Sequence, residues 1–144
     1  MDAVEDLVNA KYHLAVVERM MRSYVEIGNK RFLVGIINEA AKSVSFLIRA
    51  FVGIKDSRVD GGLRMVNSKK LLVRYLDEVT CENLFKILEI ARAQKNSPIE
   101  YVKDDKIILL IDGKYRILTV DRIVEFIKSI GVGIKMFGEN FRQV

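Results

Sequence analysis

The sequence predicts a mainly α-helical fold: an antiparallel bundle of four to five helices, with a β-hairpin inserted before the last helix at about residues 106–119. Three observations predict it. Apolar residues recur at alternating three- and four-residue spacing over most of the chain, which is the signature of one buried helical stripe. A single Pro and nine Gly in 144 residues leave long stretches without breakers. The period then changes, once, around Ile107-Ile108-Leu109-Leu110-Ile111 and Asp112-Gly113, a dipeptide suited to a two-residue hairpin turn.

The first helix is expected over Asp2 to Ile27, with Leu7, Ala10, Leu14, Val17, Met21 and Tyr24 as its stripe. Gly28-Asn29 supplies residues that tolerate a left-handed cap and ends it. The second helix follows at once on Leu33, Ile37, Ala40, Val44, Leu47 and Phe51, so the pair forms a helical hairpin. Gly53 to Asn67 reads as a loop around a short turn. Ser68 is then expected to cap a helix running to about Glu78, and Thr80 to cap the next, whose buried face is Leu84, Ile87, Leu88 and Ala91.

Lys95-Asn96-Ser97-Pro98 closes that helix. In the hairpin, Ile108 should face Ile117 and Leu110 should face Tyr115, making one wholly apolar face that must be covered. Ile99 to Lys103 offers a third strand across Asp104-Asp105. Thr119 caps a last helix with Ile123, Phe126, Ile127, Ile130 and Ile134 inward, and the chain is expected to fray from Gly138. Neither a repeat nor a domain boundary interrupts this order, so residues 1–144 are expected to form one domain.

Half of the residues are apolar and 30% are charged, which excludes a low-complexity or disordered chain. Apolar runs fall short of the roughly 20 residues of a membrane span. The acidic start, Met1-Asp2-Ala3-Val4-Glu5-Asp6, does not resemble a basic signal peptide. We therefore expect an intracellular, cytoplasmic protein with no membrane partner. One Cys, Cys81, rules out an internal disulfide and a multi-Cys zinc site, and one His, His13, leaves metal ligation mostly to carboxylates. No metal or cofactor is expected.

The net charge of +5 is concentrated in the middle: residues 61–98 carry seven basic against four acidic side chains. Arg64, Lys69, Lys70 and Arg74 have no acid among them. With Arg92 and Lys95 they are the candidate nucleic-acid or phosphate-binding residues, against the plainer reading of a solvated helix face.

Taken together, Asn9-Ala10-Lys11-Tyr12-His13-Leu14-Ala15, Asn29 to Lys42, Leu88 to Ser97 and Val120 to Phe137 resemble a HEPN (higher eukaryote and prokaryote nucleotide-binding) domain. The resemblance spans about two-thirds of the chain as a pattern of amphipathic helices. It implies a helical bundle opened by a long helical hairpin. Active members of that family carry Arg, four to six residues, then His near the end of the third core helix, for metal-independent RNA cleavage. Here Arg92 is followed by Ser97, Pro98 and Ile99 at those positions, none of which titrates near neutrality. Nuclease activity is therefore not carried over, and no catalytic residue is assigned. What the resemblance still implies is the family's binding theme: RNA, nucleotide, or a protein partner such as a nucleotidyltransferase, including toxin–antitoxin pairs.

Other chemistry is thin. Gly131-Val132-Gly133 with Gly138 follows a helix and lacks the Gly-Lys-Ser/Thr of a phosphate loop, so helix termination is expected there. Cys81 could be activated at a helix N-terminus, but a small buried hydrophobe is the expectation. His13 reads as a boundary residue, Asp104-Asp105 as a turn, and Glu39 as a solvent-facing partner of Lys42. Apolar residues off the stripes exceed what one seam buries, so a homodimer is expected, with Ile36, Phe46 and Ile48 of the second helix at its interface. Three functions follow: a non-catalytic binding module, a degenerate ribonuclease with only His13 and Arg92 as candidates, or a purely structural homodimer.

Overall fold

The computed structural model describes residues 2–28, 31–55, 65–96, 101–103, 106–111 and 113–141. Arg64, Ser97-Pro98-Ile99, Asp104-Asp105 and Asp112 lie outside them. Helix α1 (Ala3–Ile27) starts where the Asp2 carboxylate accepts the Glu5 N–H at 2.7 Å, with Glu5 and Asp6 in the first turn complementing the helix dipole. It stops at Gly28, whose φ of 74° is the left-handed cap, its N–H donating to the Tyr24 carbonyl.

Helix α2 (Arg31–Lys55) folds back against α1. Residues at similar distances on either side of the Gly28 turn, within a helical turn, meet: the Ser43 hydroxyl donates to the Ala10 carbonyl at 2.7 Å, Gly35 meets Met20, and Gly53 meets Ala3. The predicted loop therefore begins later than Gly53, because α2 carries on to Lys55.

Helix α3 (Met65–Leu72) corrects one expected cap. Ser68 lies inside this helix and is buried. The chain leaves helix at Leu72 through a tight turn, with the Arg74 N–H donating to the Leu71 carbonyl and the Tyr75 N–H to the Leu72 carbonyl. Helix α4 (Glu78–Asn96) is capped by Asp77, not Thr80. The Asp77 carboxylate accepts the Thr80 N–H at 3.1 Å and the Thr80 hydroxyl at 2.6 Å, and these bonds hold its pKa below the usual range.

Strands β1 (Tyr101–Lys103), β2 (Lys106–Ile111) and β3 (Lys114–Thr119) form an antiparallel sheet in that order. The register is the expected one, Ile108 opposite Ile117 and Leu110 opposite Tyr115. Its facing is reversed. Ile107, Leu109, Ile111 and Leu118 enter the core, while Tyr115 and Ile117 are exposed and Ile108 and Leu110 are half-buried. Helix α5 (Val120–Asn140) is capped by the Thr119 hydroxyl, which accepts the Arg122 N–H at 3.2 Å. It continues through Gly131, Gly133 and Gly138, so these glycines do not end the helix and Gly138 is not frayed.

The fold is mainly α, and helices α2, α4 and α5 surround its centre. One buried cluster joins Ala10 and Val17 of α1, Leu33, Leu47 and Phe51 of α2, Leu72 of α3, Leu84 and Ile87 of α4, Ile107 of β2, and Ile123, Ile130 and Phe137 of α5. A small apolar void remains among Ile36, Ile37, Ala40, Ile87, Ile90, Ile123 and Phe126. Among the described residues, no helix is long and apolar enough to cross a membrane.

Candidate functional site

Of the sequence-predicted cations, the five within the described residues divide between the two ends of one helix, α4. Lys69 and Lys70 lie exposed in the last turn of α3, and Arg74 is exposed in the turn that follows. Their position is fixed by Leu72 and Leu76, which are buried on either side and pull this short segment onto the core. Lys69 is close enough to Cys81 for its charge to favour the thiolate, which places this group at the N-terminal end of α4. Arg92 and Lys95 are exposed near the other end of that helix. At 1.5 Å per residue, Cys81 and Arg92 stand about 16 Å apart along the axis.

Among the described residues no carboxylate pairs with Lys69, Lys70, Arg74, Arg92 or Lys95. Other cations are tied down: Lys42 to Glu39 at 3.1 Å, Lys86 to Glu89 at 3.5 Å, and Arg122 to Glu125 at 2.5 Å. The acids of the α4 N-terminus, Asp77, Glu78 and Glu82, belong to the same end of the molecule and moderate the field of the first group.

A constellation that sequence reasoning missed lies on the α1–α2 hairpin. His13 and Glu39, 26 positions apart, join through Nδ1 and Oε2 at 2.8 Å. Since the carboxylate only accepts, Nδ1 carries the proton. Burial pushes the Glu39 carboxyl up, but the hydrogen bonds from His13 and Lys42 outweigh it and leave its pKa below the ordinary value. The His13 ring stacks on Phe46 at 5.5 Å and meets Tyr12 edge-on, while Arg49 sits over Phe46 at 5.4 Å. Thus Glu39 is a half-buried interhelical tie as well as the expected partner of Lys42.

The hairpin geometry explains the juxtaposition, because the same Gly28 turn that brings Ser43 to Ala10 sets Glu39 within a helical turn of His13. A carboxylate-oriented imidazole can exchange a proton through its other nitrogen. Among the described residues no hydrogen bond or ring contact joins His13 to Arg92.

Near the start of α1, Asp6 is 5% exposed and its Oδ1 has no partner; burial pushes its pKa up, opposed by Arg49. Cys81 is buried, and burial raises its thiol pKa despite Lys69. Among the described residues no cluster of His, Cys, Asp and Glu could hold a metal ion.

The expected interface residues divide. Ile36 is fully buried within the single chain, which removes it from any interface. Phe46 and Ile48 are partly buried against the core. Exposed apolar side chains occur instead on α1, at Val4, Val8 and Tyr12, and on β3. Comparison with family models, with curated proteins and with solved structures finds no match.

Proposed function

We propose that this chain is a non-catalytic, HEPN-like binding module that engages RNA phosphates through Lys69, Lys70 and Arg74. The observation that supports this most directly is the exposure of these three cations within six consecutive residues, without a carboxylate partner among the described residues. Unpaired cations on a firmly seated segment neutralise phosphate without first breaking an ion pair. Arg92 and Lys95 form a second, separate contact for a strand long enough to reach both ends of α4, and Arg64 is kept with the first group by sequence. Self-association belongs to the same proposal, with Phe46 and Ile48 as α2 contacts and without Ile36.

The test is fluorescence anisotropy of a labelled mixed-sequence single-stranded RNA at a series of salt concentrations. The three contacts of Lys69, Lys70 and Arg74 contribute about −2 to the slope of log affinity against log salt, and Arg92 and Lys95 add about −1.4 where the strand reaches them. Reversal of Lys69, Lys70 and Arg74 to Glu should abolish the first contribution, while reversal of Arg92 and Lys95 should weaken binding and leave it measurable. A salt-independent signal, or full binding by the triple variant, would overturn the proposal. Sedimentation velocity of the same samples reads self-association.

A further inference from the structure

Among the described residues one edge of the sheet is left without a partner strand, and its character is sharply divided. Strand β3 pairs with β2 on one side, and no strand pairs with its other side among the described residues. Lys114, Tyr115, Arg116 and Ile117 are all exposed, so neither face of this stretch is covered. On the outer face, Tyr115 and Ile117 are 69% and 65% exposed and continue into half-buried Leu110 and Ile108 of β2. The other face presents Lys114 and Arg116.

An uncovered strand is a row of unsatisfied backbone donors and acceptors, and an extended segment can satisfy them by adding to the sheet. The charges select which segment. Strands β1, β2 and β3 contain four cations, Lys103, Lys106, Lys114 and Arg116, and no acid. A second copy pairing through any of these strands would therefore set cation against cation or leave Lys114 and Arg116 unanswered. A strand that alternates acidic and apolar residues answers both faces at once.

We propose that the β3 edge takes an extended acidic segment of a partner protein as a fourth strand. Alternate carboxylates lie against Lys114 and Arg116, and the intervening apolar side chains lie against Tyr115 and Ile117. This surface is separate from Lys69, Lys70 and Arg74, and the inference does not depend on RNA binding there.

The test uses the full chain and fluorescein-labelled decapeptides: one alternating Glu and Val, one alternating Lys and Val, and one alternating Glu and Pro. Pro cannot donate to a ladder, so the third peptide keeps the charge and loses the pairing. The Glu–Val peptide should bind and the other two should not. The variant K114E/R116E should weaken the Glu–Val peptide about tenfold or more and take up the Lys–Val peptide instead, which also shows that it is folded. Reversal of Lys69, Lys70 and Arg74 should leave peptide affinity unchanged, separating this result from the RNA reading. Failure of the Glu–Val peptide to bind would overturn the proposal, as would equal binding of the Glu–Pro peptide. Displacement of the peptide by mixed-sequence RNA that itself requires Lys114 and Arg116 would reassign the edge to nucleic acid and overturn it equally.

Discussion

Two glycines of α5, two residues apart, are expected to respond to the same substitution with opposite sign. A helix-interior Gly costs about 1 kcal/mol relative to Ala, because it loses more backbone freedom on folding. At Gly131 an added Cβ meets nothing within 4 Å, so Gly131→Ala should realise that gain. For a chain of this size about 1 kcal/mol raises the melting temperature by roughly 2–4 °C. At Gly133 the same Cβ would stand 2.7 Å from Leu47 Cδ2 and 3.6 Å from Leu84 Cδ1.

Leu47 and Leu84 are both fully buried, so relief requires a shift of about 1 Å in a packed core. Overpacking of this kind costs about 1–3 kcal/mol, which cancels or exceeds the propensity gain. Gly133→Ala should therefore be neutral to about 2 kcal/mol destabilising. Urea unfolding followed by circular dichroism reads both variants, with the slope of the transition reporting whether the unfolded state has changed. If Gly133→Ala stabilises as much as Gly131→Ala, then α5 does not close against α2 at Leu47 and the packing described above is wrong.

The Glu39 carboxyl titrates lower in the folded chain than in the unfolded one, so its contribution to stability is complete above about pH 4.3 and is lost as pH falls through the lowered folded value. Glu39→Gln should flatten that acid limb and cost about 1 kcal/mol at pH 7, read from urea midpoints across pH 3–7. Asn83 and Ser129 share a buried hydrogen bond of 2.8 Å between α4 and α5. Asn83→Ala should cost about 1–3 kcal/mol, and adding Ser129→Ala should cost less than the single losses combined, because no hydroxyl is then left unpaired. Cys81 should resist iodoacetamide at pH 8 in the native protein and react on unfolding, as mass spectrometry would show; fast native alkylation would contradict its burial.

How much of this was readable beforehand depended on whether a residue's neighbours were local in sequence. The α1 and α2 stripes, the Gly28 stop, the Thr119 cap and the hairpin register all follow from interactions within a turn or across a two-residue loop, and they appear where expected. The α4 cap was misplaced because Asp77 and Thr80 are both capping residues at a three-residue spacing. Only geometry shows that the carboxylate accepts and the hydroxyl donates.

The facing of the sheet was not readable because β2 is apolar at every position from Ile107 to Ile111, so alternation gives no sign of which face is inward. Coverage by α4, a tertiary fact, decides it. His13–Glu39 was missed for a related reason: pairing positions across Gly28 sets His13 opposite Ser43, one helical turn from Glu39, and only the packing of α1 on α2 decides which of that face it meets. The basic residues were legible as charges. Their division between the two ends of α4 was not, since that depends on where α3 is seated.

The ring cluster at one end of the bundle has a consequence in time. Phe51 of α2 is covered by Phe137 and Phe141 from the far end of α5, with Tyr75 beside it. During synthesis at about 5–20 residues per second, partners roughly 90 residues apart are separated by about 5–20 s, far longer than a helical hairpin needs to form. The nascent chain therefore completes α1–α2 early and then displays an oily end to the cell's chaperones until α5 is delivered, making that interval the step at which aggregation and folding compete.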